Sequence, residues 1–464
     1  MITLRPYQQQ GVEDLRAVYR SGGTAPLYVL PTGGGKTVVF SHIAQQAAQR
    51  GGRVFILVHR VELLRQTSSA LHANGVPHGM VNPKYSPDYN KAVQVASVQT
   101  LARRLHLFAN RPPSLIVIDE AHHAPAGTWA KVLHAFPAAK VLGVTATPER
   151  GDGKGLGGVF THMVQGPSIT QLIREGYLVR PQVFAPLQRI SMAGVKQVAG
   201  DYDKAQAAER VDKPTITGNA VAHYAKLCPG RPAVVFCISV QHAEHVAAEF
   251  RARGFRAYAV DGSMDDETRS SILSGLGDGR VEVVTSCDLI SEGTDIPAIA
   301  CAILLRPTKS VGLYIQQVGR ALRTSNGKDS AIILDHVGNV LEHGMPDAER
   351  EWSLQGRIKK KKGKAQDPAL RVKQCPKCYA VNVPAPACQT CGHIYEGARK
   401  APQVQDGTLQ EVTAQAAALL AKQKRREVGQ AQTLEELRRI AAARGYRPGW
   451  AEHIFKARQN KQTT

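Results

Sequence analysis

The sequence predicts an α/β protein made of two tandem parallel-sheet domains, a small four-cysteine module and a helical C-terminal segment. Three observations carry this. Short apolar runs alternate with helical patterns, five runs in each half of the chain. Polar clusters follow the runs of the first half, at the carboxyl ends of strands where parallel sheets gather their ligands. Cysteines crowd into one stretch, and basic residues into the segment around and after it. A length of 464 residues exceeds one core, and a prior of about 150 residues per domain suggests about three units.

The first domain is expected over 1–165. Its apolar runs lie at 27–30, 54–58, 92–96, 115–118 and 141–144. The first leads into Pro31-Thr32-Gly33-Gly34-Gly35-Lys36-Thr37 and then a helical pattern. Glycines allow a tight turn there, and N–H groups at a helix start can face the oxygens of an anion. Thr32, Gly33, Gly34 and Gly35 would form the cradle, Lys36 would reach the outer phosphates, and Thr37 offers a hydroxyl to magnesium. The strict phosphate-loop pattern places glycine where Leu30 stands, so a plain glycine-rich turn remains the alternative. His59-Arg60 follows the second run, Gln99-Thr100 the third, and Thr145-Ala146-Thr147 the fifth. The fourth ends in Asp119-Glu120-Ala121-His122. One of these carboxylates can hold magnesium while its neighbour takes a proton from an attacking water, although two adjacent acids on a loop can also be merely solvated.

Residues 166–215 are mixed and polar, and are expected to be a connecting insertion. The second domain is expected over 216–345, with runs at 233–236, 257–260, 281–284, 300–305 and 331–334. It has no phosphate loop, so a second independent nucleotide site is not expected. Its polar clusters are Gly293-Thr294-Asp295 and Gln316-Gln317-Val318-Gly319-Arg320-Ala321-Leu322-Arg323. Arg320 and Arg323, three residues apart, share one helical face and can neutralise charge on a transferring phosphoryl group; a solvated basic face is the alternative. Asp295 would suit a ribose hydroxyl or an interdomain contact, and Thr294 a nucleic-acid phosphate.

The net charge is +21. From Arg357 onward there are 22 Lys and Arg against 8 Asp and Glu, so this tail holds +14 of it, a surplus that fits either a polyanion partner or a solvated tail. Residues 346–373 read as a basic linker. Within 374–398, Cys375-Pro376-Lys377-Cys378 and Cys388-Gln389-Thr390-Cys391 form two Cys-x-x-Cys hooks. Four thiolates so spaced can close a tetrahedron round zinc, with no position left open for catalysis; two disulfides are the alternative. Cys228, Cys237, Cys287 and Cys301 stand singly in apolar surroundings and read as reduced core residues. In the basic tail, 399–464, Thr433-Leu434-Glu435-Glu436 is a capping box before an amphipathic helix, and a second helix follows Trp450. This small basic hairpin could grip DNA, RNA or a protein, or pack on the zinc module. No apolar run approaches the roughly 18 residues of a membrane span, and the N-terminus lacks a secretory profile. A cytoplasmic protein without membrane contact is expected.

Gly35-Lys36-Thr37, Asp119-Glu120-Ala121-His122, Thr145-Ala146-Thr147 and Gln316-x-x-Gly319-Arg320-x-x-Arg323, in this order, resemble the motor of superfamily 2 helicases of the DEAH-box kind. The resemblance implies two tandem RecA-like parallel-sheet domains followed by a small zinc ribbon and a helical C-terminal segment. It implies ATP and Mg2+ held by the glycine loop and Asp119, with Lys36, Asp119, Glu120, Arg320 and Arg323 as the catalytic groups. Leu4-Arg5-Pro6-Tyr7-Gln8 is similar to the segment that presents a glutamine to adenine, which makes Gln8 a nucleotide contact along with Asp295. His59, Arg60, Gln99, Thr100, His122, Thr145, Thr147, Thr294 and Gln316 would touch nucleic acid or couple it to the nucleotide. Together with the four cysteines, which add Zn2+, Asp335-His336-Val337-Gly338-Asn339 resembles the RadD group of bacterial and phage DNA-repair or recombination helicases. That implies single-stranded or branched DNA as partner, RNA as a second candidate, and single-strand-binding or replication and repair proteins nearby.

Overall fold

The computed structural model describes residues 3–125, 127–186, 189–290, 295–356, 372–395, 426–444 and 449–462. They form two compact units, 1–396 and 397–464.

In the first unit, α1 (Pro6–Arg20) precedes β1 (Pro26–Val29), α2 (Lys36–Gln49), β2 (Val54–Val58), α3 (Val61–Ala73), β3 (His78–Val81) and β4 (Val93–Ser97). The single turn α4 (Val98–Leu101), β5 (Leu115–Asp119), α5 (Gly127–Ala135), β6 (Lys140–Thr145) and β7 (His162–Gln165) complete this domain. Its seven strands run in the order β3-β4-β2-β5-β6-β1-β7, and every pairing is parallel. Helices cover both faces, which is why the strands read as unbroken apolar runs: along β2, Val54, Ile56 and Val58 enter one core while Phe55 and Leu57 enter the other. Phe55 meets Phe108 and Phe136 edge-on, at 4.8 and 5.6 Å between centroids.

The second sheet is assembled from a wider stretch than the sequence predicts. After α6 (Ile169–Arg174), β8 (Arg180–Phe184) is a strand of this sheet, paired in parallel with the later β15 (Ser330–Asp335). It lies inside 166–215, the expected connecting insertion, and its apolar character is hidden by Arg180, Pro181 and Gln182. The rest of that stretch forms the hairpin β9 (Gln197–Val198) and β10 (Asp201–Tyr202), then α7 (Lys204–Val211) and the start of α8 (Pro214–Leu227). Next come β11 (Ala233–Phe236), α9 (Val240–Ala252), β12 (Ala257–Val260), α10 (Asp266–Asp278), β13 (Val283–Ser286), β14 (Cys301–Leu304), α11 (Val311–Ala321), β15 and α12 (Asn339–His343). The four-cysteine module adds β16 (Lys373–Gln374) and β17 (Ala380–Asn382). The order is β12-β13-β11-β14-β15-β8-β17-β16, parallel up to β8 and antiparallel beyond it. The cysteine module is therefore the edge of the second sheet, seated on β8 through Ala380–Phe184 and Val381–Val183 pairing.

In the second unit, the helices Leu434–Arg444 and Trp450–Gln462 pack around Leu437, Ala431 and Ala451. The expected capping box is present: the Glu436 N–H donates to Thr433 Oγ1 at 3.2 Å, and the Thr433 N–H donates to Glu436 Oε2 at 3.1 Å. No helix of the described residues is long and apolar enough to cross a membrane.

Candidate active site

The glycine turn leaves β1 and enters α2 with Gly33 and Gly35 both in the left-handed region, at φ 85° and 83°. Leu30, where the strict pattern has glycine, is fully buried, and its carbonyl lies 3.4 Å from Lys36 Nζ. The turn is propped from behind. The Gly34 carbonyl accepts from Gln8 Nε2 at 3.0 Å and from Tyr7 OH at 2.9 Å, while Gln8 Oε1 accepts from the Arg5 N–H. Gln8 is 3% exposed, and its amide is engaged with the loop and the start of α1. A Cβ at Gly35 would lie 2.4 Å from Gln8 Nε2 and would push the Gln8 amide off the loop, while the φ of 83° is what requires glycine there. Beside the turn, Tyr7 meets Tyr177 edge-on at 5.0 Å, and the Arg5 guanidinium lies 4.6 Å from the Tyr177 ring centroid.

Asp119 ends β5, and its Oδ1 accepts the Glu120 N–H at 3.0 Å. Glu120 is held at φ 49°, ψ 56°, a left-handed conformation costing about 1–2 kcal/mol for a residue with a Cβ. From Glu120 a polar chain runs inward. His122 Nδ1 lies 3.5 Å from Glu120 Oε2 and 3.2 Å from Thr145 Oγ1, and Thr145 Oγ1 donates to the Thr147 carbonyl at 3.1 Å.

The second domain closes this cleft with one face of α11 and the residues just after it. Gly312, Gln316, Gly319, Arg320 and Arg323 recur at helical spacing. A Cβ at Gly312 would meet Thr147 Oγ1 at 3.0 Å, and one at Gly319 would meet Thr32 Cβ at 2.7 Å. Gln316 Nε2 points at Glu120 Oε2 across 3.5 Å, and Arg323 Cγ lies against Gly33. Burial pushes the Lys36 ammonium below its ordinary pKa; Glu120 and Asp119 oppose that shift, and Arg320 and Arg323 add to it. The two acids, the lysine and both arginines thus feel one another. Arg323 is also ion-paired to Asp295. Thr294 lies outside the described residues.

What holds α11 in place is less visible in sequence. Asp335 caps the next turn, with Oδ1 accepting from the Gly338 N–H at 2.9 Å and Oδ2 from the Val340 N–H at 2.7 Å. Asn339 then donates to the Arg306 carbonyl and accepts the Thr308 N–H, fixing the loop that launches α11. Asp201, on the β9–β10 hairpin, takes the Thr308 hydroxyl and the Lys309 N–H at 2.7 and 2.8 Å. Sequence reasoning missed Asp201, because nothing local ties residue 201 to residue 308. It also missed Gly312 and gave Gly319 no role beyond its place in the arginine motif, although their seven-residue spacing on the arginine face was the available signal.

On the first domain, Gln99 Nε2 reaches the His59 carbonyl at 3.4 Å and Thr100 Oγ1 lies 3.4 Å from Ser97 Oγ. The His59 and His123 rings lie 4.2 Å apart. Arg60 crosses to the second domain and donates to the Asp288 carbonyl at 3.2 Å. Further out, Asp266 on α10 accepts from Arg65 and Lys84, and Arg269 pairs with Glu62 at 3.2 Å.

The sulfurs of Cys375, Cys378, Cys388 and Cys391 all lie within 4.8 Å of one another, two pairs of them at 3.7 Å. A tetrahedral zinc with bonds of about 2.3 Å requires sulfur separations of about 3.8 Å, so the set fits that ion. Disulfides need sulfurs about 2.05 Å apart, and none of the described cysteines forms one. Each hook closes with an N–H donated to the first cysteine's carbonyl, by Tyr379 to Cys375 at 2.9 Å and by Gly392 to Cys388 at 2.8 Å.

Two parallel-sheet domains, one supplying the lysine and both acids of a single cleft and the other its two arginines, define a two-domain motor ATPase. Residues 1–150 match the family described as Type III restriction enzyme, res subunit, and residues 219–325 the helicase conserved C-terminal domain. The chain is 35% identical over 368 residues to a 51.5 kDa protein of a Lactococcus phage, covering 79% of this chain and 77% of that one. It is 32% identical over 355 residues to Saccharomyces cerevisiae IRC3, a candidate ATP-dependent helicase; that match covers 72% of this chain and about half of IRC3, 51%. Among solved structures, a fragment of an HsdR-type subunit of a type I restriction enzyme from Vibrio vulnificus YJ016 shares the fold, with a TM-score of 0.57 at 21% identity over 73% of this chain and 65% of that one. The chain belongs to helicase superfamily 2, as an ATP-hydrolysing member.

Proposed function

We propose that the chain is a nucleic-acid-stimulated ATPase that converts closure of its two domains into movement along, or separation of, DNA strands. The observation that carries this reading is the α11 face lying across the cleft from the glycine turn and the twin acids. In this account Lys36 and the turn hold the triphosphate, Glu120 takes a proton from the attacking water, and Arg320 and Arg323 neutralise charge as the phosphoryl group transfers. Thr37 and Asp119 would hold magnesium, an all-oxygen donor set suited to a hard cation that offsets phosphate charge. Gln8 acts chiefly through the loop it props, with adenine lying against the neighbouring Tyr7 and Tyr177. Asp295 positions Arg323.

The chain Glu120–His122–Thr145–Thr147 ends under Gly312, so a change at the acid reaches the second domain through side chains already in contact. His59, Arg60, Gln99, Thr100 and Gln316 lie around the same cleft or the neighbouring strand ends, where they can sense a bound strand. DNA repair or recombination is the biological setting that the zinc-fitting ribbon favours. The match of residues 1–150 to a restriction-enzyme subunit supports a second reading, translocation along duplex without unwinding.

The test is ATP turnover with single-stranded DNA, duplex, fork and RNA, beside a strand-displacement assay. Lys36→Ala should abolish strand-stimulated hydrolysis and leave oligonucleotide binding in place. Hydrolysis retained by that variant would remove the central assignment.

A further inference from the structure

Beyond the nucleotide cleft, the second sheet carries a cavity of about 790 Å3 between α8 and the first cysteine hook. The hook is fixed there by β17–β8 pairing and by Gln374 Nε2, which donates to the Ala185 carbonyl. Phe184, Ile216 and Leu227 give the cavity an apolar floor, and Lys226 and Lys377 stand exposed in its wall. His223 also lines it, with its ring stacked on His336 at 5.1 Å. The carboxylate in the wall, Asp335, is turned onto backbone N–H groups.

Tyr379 is the informative residue. It closes the first hook at φ 61°, in the conformation that Gly392 adopts at φ 71° in the second hook. Glycine takes this backbone without strain, whereas a tyrosine, with its Cβ, does not. The ring does not recover that cost by burial, since Tyr379 is 62% exposed. A large aromatic held in a strained turn, exposed beside a cavity and flanked by two lysines, has the composition of a base-stacking platform with phosphate neutralisation.

We infer that this cavity takes the bases of a single-stranded nucleic acid, with Tyr379 stacking on a base and Lys226 and Lys377 facing the flanking phosphates. The inference rests on the nucleic-acid motor reading and adds a second strand contact to it, on a module that the sheet ties to the arginine-bearing domain. A strand held here would be carried with the second domain as the cleft opens and closes.

The test uses the full chain loaded with zinc. Fluorescence anisotropy with a labelled oligothymidylate should show binding weakened about 5- to 100-fold in Tyr379→Gly and near normal in Tyr379→Phe, which keeps the ring. Because glycine relieves the backbone, Tyr379→Gly should retain zinc and melt no lower than wild type. Its strand-free ATP hydrolysis should be unchanged, and its half-saturating oligonucleotide concentration raised. Wild-type affinity in Tyr379→Gly, with strand-stimulated hydrolysis intact in the parent, would overturn the inference and leave the motor reading standing. A parent that no strand stimulates would defeat both. A Tyr379→Gly variant that binds oligonucleotide normally but exposes 357–371 to protease would assign the cavity to that basic segment instead, and so overturn the inference.

Discussion

Replacing Gly319 with alanine places a single methyl between α11 and the glycine turn. Its Cβ would lie 2.7 Å from Thr32 Cβ and 3.0 Å from Thr32 Cγ2, where carbons in contact sit about 3.5–4.0 Å apart. The two backbones must therefore separate by about 1 Å, and Arg320 and Arg323 retreat with the helix. A misplacement of about 1 Å at a reacting centre costs on the order of 100-fold in rate, equivalent to about 2.7 kcal/mol of barrier. The expected result is a kcat for strand-stimulated hydrolysis lowered by about that factor, with KM for ATP little changed, because the first domain holds the phosphates. Alanine is the better helix former by about 1 kcal/mol, so the variant should melt no lower than wild type, which separates loss of closure from loss of fold. Adding Thr32→Gly, which removes the Cβ that the methyl strikes, should recover part of the rate. A Gly319→Ala enzyme with wild-type kcat at saturating ATP and oligonucleotide would show that α11 does not approach the loop during turnover.

Arg323→Ala should bind ATP near normally and turn over about 10³- to 10⁵-fold more slowly, as measured by single-turnover hydrolysis; lost binding with normal turnover at saturation would contradict its place at the transferring group. Metal analysis after dialysis should find zinc in the wild type, and Cys388→Ser should release it; a folded, metal-free wild type would rule out the ribbon assignment. Burial pushes the Asp335 carboxyl up to about 6, against the pull of backbone N–H donors at Val340, Asn339, Val337 and Gly338. Its folded pKa lies above the ordinary 3.8, so the folded state holds this proton more tightly and the group's contribution to stability falls as pH rises from about 4 to 6. Unfolding of wild type and Asp335→Asn compared by denaturant titration should tilt toward the variant across that window by up to about 3 kcal/mol; a pH-independent difference would refute it.

The parts legible in sequence were those whose chemistry is local. Lys36, Asp119, Glu120 and Arg320 each sit at the carboxyl end of a strand or on a helix that the apolar pattern already located, and Arg323 follows two residues after that last helix. Spacing alone brought the four cysteines together. What escaped has physical reasons. The strands β3 and β7 lie at the edges of their sheet and are only partly buried, β3 at alternate positions and β7 at a single one, so neither forms an apolar run. Within β8, Pro181 and Gln182 disguise a strand that pairs on both sides. The seating of the cysteine module on β8, and the Asp201 contact with Thr308, depend on pairings between distant segments that local pattern cannot encode.

Under the proposed motor reading, the charge of the cleft makes closure depend on nucleotide. Lys36, Arg320 and Arg323 converge on Asp119 and Glu120, with Asp295 paired to Arg323 at the margin, and desolvation of Lys36 is felt as a lowered pKa. The arginines and the lysine oppose one another across the domain boundary, and the carboxylates of Asp119, Glu120 and Asp295 offset that opposition. The outer ion pairs, Arg65 and Lys84 with Asp266 and Arg269 with Glu62, are at least partly exposed, so solvent and salt screen them. A triphosphate with its magnesium brings about two net negative charges into the centre, which turns the repulsion among the cations into a shared attraction. The glycine contacts at Gly312 and Gly319 then set how near the domains can come, and the anion sets whether they do. Under the proposed motor reading, hydrolysis and loss of the outer phosphate would remove part of that charge and so weaken the attraction that holds the domains closed.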